Sequence, residues 1–214
     1  MSAPGGSLDR RRRGVLASTL AANALVFFDQ TAVTVALPAI GREFGADPDE
    51  LHWTITAYLL ALAVFMSVAA RLADHLGRRR VFLGGLAVFG VASALCAAAP
   101  TLPLLLAARF VQGVGGAIVA PLALSTTVRT VGNARRGWAI GLLSTGGTSF
   151  LVLGPALAGV LLDSGWRWLF LVNLPVVVFA LVVGVRWITP SRAAPPAAPR
   201  SRSGGAGSCC CSSG

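Results

Sequence analysis

Two ionisable residues sit deep inside long apolar runs, and their chemistry has to be explained first. Asp29 lies in LVFFDQTAVTVALP, and Arg109 in LLLAARFVQGVGG. A charge at the centre of a membrane helix costs about 2.5–3.5 kcal/mol on insertion scales. Such groups face a bundle interior or a water-filled cavity, and they often mark the path of an ion or substrate. The competing reading is a structural ion pair that only fixes packing. Gln112 follows Arg109 by three residues, so the two side chains share a helical face and can join one polar network. The chemistry on offer is proton handling and charge recognition. Catalysis is not indicated: His52 and His75 both fall near loops, and no paired acids or Ser/His set lies in the apolar runs. No cofactor or metal is implied either, because no histidine lies near the cysteines to give zinc spacing.

The elements that must position these residues follow from composition. The 214-residue chain is 55% hydrophobic, with a mean hydropathy of +0.73 and only 12% charged residues. Soluble domains carry about 25% charged residues. The apolar residues come in blocks of roughly 20, enough to cross a bilayer core as helix. The predicted fold class is therefore all-α: a polytopic membrane protein with six transmembrane helices, over 15–40, 51–70, 81–99, 102–128, 138–162 and 168–188. Short connections make sequence neighbours antiparallel. The expected organisation is a cytoplasmic N-terminal tail (1–13), a six-span domain (14–188) and a disordered cytoplasmic tail (189–214), the last rich in Pro, Ala, Ser, Gly and Arg. The RRRR run before the first span does not read as a cleaved signal, because the apolar run after it is too long. Cys96 reads as a small hydrophobe in an apolar run. Cys209, Cys210 and Cys211 stand together in the tail, where acylation and an inert tail are both open readings.

The net charge is +10, and all 18 basic residues are arginine. In a soluble protein that balance would point to nucleic acid, but the positions argue otherwise. Arg10 to Arg13, Arg71, Arg78 to Arg80, Arg129, Arg135, Arg136, Arg186, Arg192, Arg200 and Arg202 all fall on one side of the predicted zigzag. Arg42 and Arg167 fall on the other, with Glu43, Asp47, Asp49, Glu50 and Asp163. Excess arginine marks the cytoplasmic side, so both termini are expected in the cytoplasm of a cell-membrane protein. A basic face of this kind suits anionic lipid headgroups, and no nucleic-acid partner is expected.

Several stretches then carry a resemblance. They are FFDQTAVTVALPAI (27–40), ARLADHLGRRR (70–80), LAARFVQGVGG (106–116), LGPALAG (153–159) and GWRWLFLVNLP (165–175). In this order the chain resembles the N-terminal six-span half of a major facilitator superfamily transporter. More narrowly, it resembles the fourteen-span drug:proton antiporters. Thr34 stands where asparagine is usual, Ala70 where glycine is usual and His75 where arginine is usual.

The resemblance implies proton-coupled efflux of small hydrophobic or cationic compounds such as drugs. Asp29, Arg109 and Gln112 would take part in proton and substrate coupling. Asp74, Gly77 and Arg78 would form a cytoplasmic latch, with Gly77 as its turn, that meets a helix end in the other half of the transporter. Gly154, Pro155 and Gly159 would form the bend of an antiporter helix, since proline removes a backbone donor. The implied partners are the lipid bilayer, protons, a small-molecule substrate, and a second six-span half or a homodimer partner. In a lone half, Asp29 and Arg109 are expected to line half a cavity and either face lipid or drive self-association. The alternative function is a truncated, non-transporting membrane protein that assembles with or modulates a full-length transporter.

Overall fold

The computed structural model describes residues 5–132 and 135–188, with side chains from Arg10 onward. The tail expected at 189–214, with Cys209, Cys210 and Cys211, lies outside the described residues. The described chain is all-α: α1 (Gly5–Phe44), α2 (Pro48–Leu76), α3 (Arg78–Ala98), α4 (Leu102–Val131), α5 (Arg136–Leu162), α6 (Arg167–Leu171) and α7 (Asn173–Trp187). Six spans result, because α6 and α7 run in series as one stretch of 21 residues. At 1.5 Å per residue even this stretch is about 30 Å long, the thickness of a hydrocarbon core.

The helix ends have local causes. Pro48 stands in the first turn of α2 and Pro103 in that of α4, where a missing N–H leaves no bond unmade. Between α2 and α3 a single residue, Gly77, turns the chain at φ +90°, a conformation that side-chain-bearing residues rarely adopt. The first helix is longer than expected. It runs through Arg10–Arg13 and on to Phe44, so its start does not coincide with the expected tail boundary at residue 13.

The arginines at this end of the bundle bond to helix termini. The last carbonyls of a helix lack partners within it. Arg12 donates to the carbonyl of Val131 at the end of α4 (2.9 Å), and Arg11 to that of Trp187 at the end of α7 (3.3 Å). Arg79 of α3 donates to the Val185 carbonyl, also on α7, at 2.6 Å. Cations there also complement the negative end of the helix dipole. At the opposite end Glu43 of α1 accepts from Trp166 Nε1 (2.5 Å) and from Arg167 (2.7 Å), and Arg167 reaches the Ala99 carbonyl at the end of α3 (3.3 Å).

Packing sorts the helices into two groups. α4 packs most closely on α2 and α3, and α1 on α5 and α7. The first group is drawn together by glycine. A Cβ on Gly113 would run into the Tyr58 carbonyl of α2, and one on Gly115 would lie 2.7 Å from the backbone nitrogen of Phe89 on α3. Small residues permit this approach, which in lipid is a main source of helix association. Two apolar clusters fill the interior. One is built around Phe82, Leu86 and Phe89, the other around Ile40, Leu105 and Phe170.

Gly113→Ala is expected to lower stability by about 1–3 kcal/mol through overpacking. Gly159→Ala is expected to leave it unchanged, since a Cβ there meets nothing within 4 Å. Thermal unfolding in detergent micelles checks both.

Candidate functional site

A polar layer made by four helices lies inside this apolar interior. α1 supplies Asp29, α3 Ser93, α4 Arg109 and Gln112, and α7 Asn173. All are at most 1% exposed. Asn173 owes its place to a proline. Pro175 has no N–H to give the Leu171 carbonyl, and the sixth span breaks at Val172 between α6 and α7. Asn173 is the first residue after the break.

Arg109 Nη1 donates to Asp29 Oδ2 at 2.6 Å and to Gln112 Oε1 at 2.7 Å. Its Nε donates to the Thr54 carbonyl of α2 at 3.4 Å. The guanidinium lies over the Tyr58 ring, 4.4 Å from the centroid, with the Phe170 ring 5.8 Å away. These faces suit a desolvated cation. The Gln112 amide nitrogen donates to Asp29 Oδ1 (2.9 Å) and Ser93 (3.0 Å), and the Asn173 amide donates to the same two acceptors at 3.3 and 3.1 Å. Both oxygens of Asp29 are therefore held. Cys96 sits at the edge of this layer, its Sγ 3.6 Å from Gln112 Oε1. Three buried polar atoms beside the layer have no hydrogen-bond partner: Thr54 Oγ1, Tyr58 Oη and Asn173 Oδ1.

Asp29, Arg109 and Gln112 are thus brought together. One expectation is overturned. Within this half alone Asp29 and Arg109 face neither lipid nor an open cavity; each side chain is 1% exposed. The reason is mutual satisfaction: the pair supplies its own counter-charge and amide donors, so it packs inside the bundle. Ser93, Asn173, Tyr58 and Thr54 were missed. An asparagine two residues before a proline in an apolar run is a readable signal, but Gln112 was found by its spacing from Arg109, and no such spacing points to Asn173. Ser93 and Thr54 gave none, because neutral hydroxyls are common in membrane helices.

The other predicted residues lie elsewhere. Asp74 and Arg78 form an exposed i,i+4 pair at 3.3 Å across the Gly77 turn. Gly154 and Pro155 are in mid-α5. Gly154 faces α1, where a Cβ would collide with Thr31 Oγ1, whereas Gly159 faces open space.

Fold and site together define a six-helix membrane unit with a buried ion pair crossing between its helices. A family model described as Major Facilitator Superfamily matches residues 19–208, and the chain belongs to that family. It is 41% identical over 160 residues to an uncharacterised MFS-type transporter of Mycobacterium tuberculosis, Rv1250, covering 74% of this chain and 28% of that protein. Identity is 39% over 163 residues to a multidrug resistance protein B homolog of the same species (76% and 30%). It is 37% over 158 residues to the putative multidrug resistance protein MdtD of Salmonella paratyphi B (72% and 34%). The chain thus spans about a third of the length of these relatives. Among solved structures, a bacterial homologue of the human lysosomal transporter Spinster, inward-facing and unoccupied, superposes with a TM-score of 0.75 at 23% identity, over 90% of this chain and 45% of that one. The xylose transporter XylE of E. coli, inward open, gives 0.66 at 17% identity, over 83% and 47%. The fold is one half of a major facilitator transporter, and the sequence fits the N-terminal half.

Breaking a buried pair by removing one partner costs about 3–5 kcal/mol, because it strands the other charge. Asp29→Leu and Arg109→Met are each expected to destabilise by that amount. The double variant should lose about 1–3 kcal/mol less than their sum. A double-mutant cycle in detergent measures this; additive losses would show that the two residues are uncoupled.

Proposed function

We propose that this chain is the N-terminal half of a proton-coupled exporter of small hydrophobic or cationic compounds, of the fourteen-span drug:proton antiporter type. The observation that carries the reading is the buried Asp29–Arg109 pair with Gln112 on both partners. Protonating Asp29 cancels its charge and leaves the Arg109 guanidinium without a counter-ion in low dielectric, where an unpaired charge is costly. The bundle would respond by moving Arg109 toward water or substrate. A proton thereby selects between two arrangements through its differential interaction with each. The names of the relatives support drug export.

In this reading Asp29, Arg109 and Gln112 couple proton and substrate. Asp74, Gly77 and Arg78 form the cytoplasmic latch, with the Asp74–Arg78 pair ready to meet a helix end of the other half. Gly154 and Pro155 bend α5 against α1, with Gly159 on the open side of that helix. In a transporter bearing this half, Arg109→Ala is expected to insert in the membrane and to abolish proton-driven efflux per molecule of protein present there. Arg109→Lys should rescue only in part, because lysine lacks the planar fork. Wild-type efflux from the alanine variant would overturn the assignment.

Transporters of this fold place the substrate between two repeats near the bilayer midplane and rock one against the other. This chain is expected not to transport alone, and to need a second six-span half or a homodimer partner. Proton-gradient-driven movement of a fluorescent cationic dye into proteoliposomes of the purified chain, lost with Asp29→Asn, would refute this.

Both termini are assigned to the cytoplasmic side of the cell membrane. Reporters inserted at Gly45 and Gly132 are expected to score outside and inside respectively. Equal scores at the two sites would contradict the assignment.

A further inference from the structure

Tyr58 is a buried ionisable side chain that the pairing of Asp29 with Arg109 leaves unused. It stands one turn after Thr54 on α2, inside the bundle. Its ring lies under the Arg109 guanidinium, 4.4 Å from Cζ to the ring centroid. Its hydroxyl is buried and makes no hydrogen bond; the Gln30 side chain of α1 comes near without making one. A buried polar group left unmade is destabilising. An acceptor is thus held in reserve beside a cation that already has another partner. α2 is fixed to α4 at this level. A Cβ on Gly113 would run into the Tyr58 carbonyl, and one on Gly116 would lie 3.0 Å from the Tyr58 hydroxyl oxygen. Arg109 and Tyr58 therefore move together, whereas Asp29 belongs to α1. The guanidinium is also held loosely on this side: its Nε is 3.4 Å from the Thr54 carbonyl oxygen, longer than the usual range of about 2.7–3.2 Å.

Resting on the reading of Asp29 as the proton site, we propose that Tyr58 is the second seat of Arg109: once Asp29 takes up a proton, the guanidinium turns about its Thr54 contact and one of its N–H groups bonds the phenol oxygen. The proton stays on the Asp29 carboxyl group and the phenol keeps its own; only the hydrogen-bond partner of Arg109 changes. A neutral carboxyl group attracts the cation far less than a carboxylate does. The phenol oxygen and the ring face beneath the guanidinium then hold it. Tyr58 is a positioning residue, keeping Arg109 on the side of α2 and α4 when α1 is released. Among the described residues, the ionisable groups facing Asp29 are Tyr58 of α2, Cys96 of α3 and Arg109 of α4; α5 and α7 carry none at that depth. A thiol and a phenol stay protonated in the acid range, so a change there belongs to the carboxyl group.

The test is the melting temperature of the full chain in detergent, followed by circular dichroism, with and without Tyr58→Phe, which removes the hydroxyl and keeps the ring. At neutral pH this substitution is expected not to lower the wild-type value, since the hydroxyl makes no bond there. In Asp29→Asn, the neutral counterpart of the carboxyl group, it should lower the value by about 2–4 °C, the loss of one hydrogen bond. In the double variant Asp29→Asn with Arg109→Met that loss should vanish. A hydroxyl with a merely structural role would cost the same in all three backgrounds, and that result would overturn the proposal. The gap between the wild-type chain and Tyr58→Phe should also widen as pH falls, which tests the seat with no change at Asp29. A loss in Asp29→Asn without that widening would keep the second seat and refute Asp29 as the proton site. Tyr58 is the only tyrosine of the chain, so tyrosine labelled at Cζ gives a single NMR resonance. It should shift between wild type and Asp29→Asn; an unmoved resonance would overturn the proposal.

Discussion

Hydrocarbon offers no water to a polar group, and the rest of this fold depends on how that constraint is met. Asp29 and Arg109 could not remain in apolar helices unless each supplied what the other lacked. Their 2.6 Å contact is only part of the answer. A carboxylate has two oxygens and a guanidinium has several donors, so the remainder has to come from neighbours. Gln112 serves both, because its amide carries an acceptor for Arg109 and a donor for Asp29. Aspartate or lysine at that position could serve only one. Ser93 and Asn173 extend the arrangement to α3 and α7, so one buried pair fixes the relative positions of four helices.

The backbone answers the same constraint at the membrane surfaces. Carbonyls at the ends of α4 and α7 receive arginine donors from α1 and α3, while Glu43 ties the far end of α1 to Trp166 and Arg167. Charge asymmetry along the sequence and capping of helix ends are thus two effects of the same side chains. The glycines work in the opposite sense, by removing atoms. Gly113 and Gly115, two residues apart, point to opposite flanks of α4 and bring α2 and α3 into contact with it.

Much of this was legible in the sequence, for physical reasons. A charge among twenty apolar residues is so costly that its presence demands an explanation, and Asp29, Arg109 and Gln112 emerged directly. Span number followed from apolar block length. What stayed hidden was orientation. Nothing in the residue types said whether Asp29 and Arg109 faced outward or each other, since both choices satisfy the same spacing. Ser93 and Thr54 were invisible because a hydroxyl can bond its own helix. The helix of the first span begins before that span, because arginine is a good helix former and carries the helix through Arg10–Arg13. Gly154 and Gly159 share one motif yet differ in surroundings, one against Thr31 and the other in open space.

The grouping of helices gives the buried pair a further meaning. α4 is locked to α2 on one flank and α3 on the other, so Arg109 travels with that slab of three. Asp29 belongs to α1, which carries α5 and α7. The contact between them is therefore a gauge set across a seam. A shear of the two slabs by one or two ångströms would part a guanidinium from its carboxylate, so at that seam a small displacement becomes the separation of two charges.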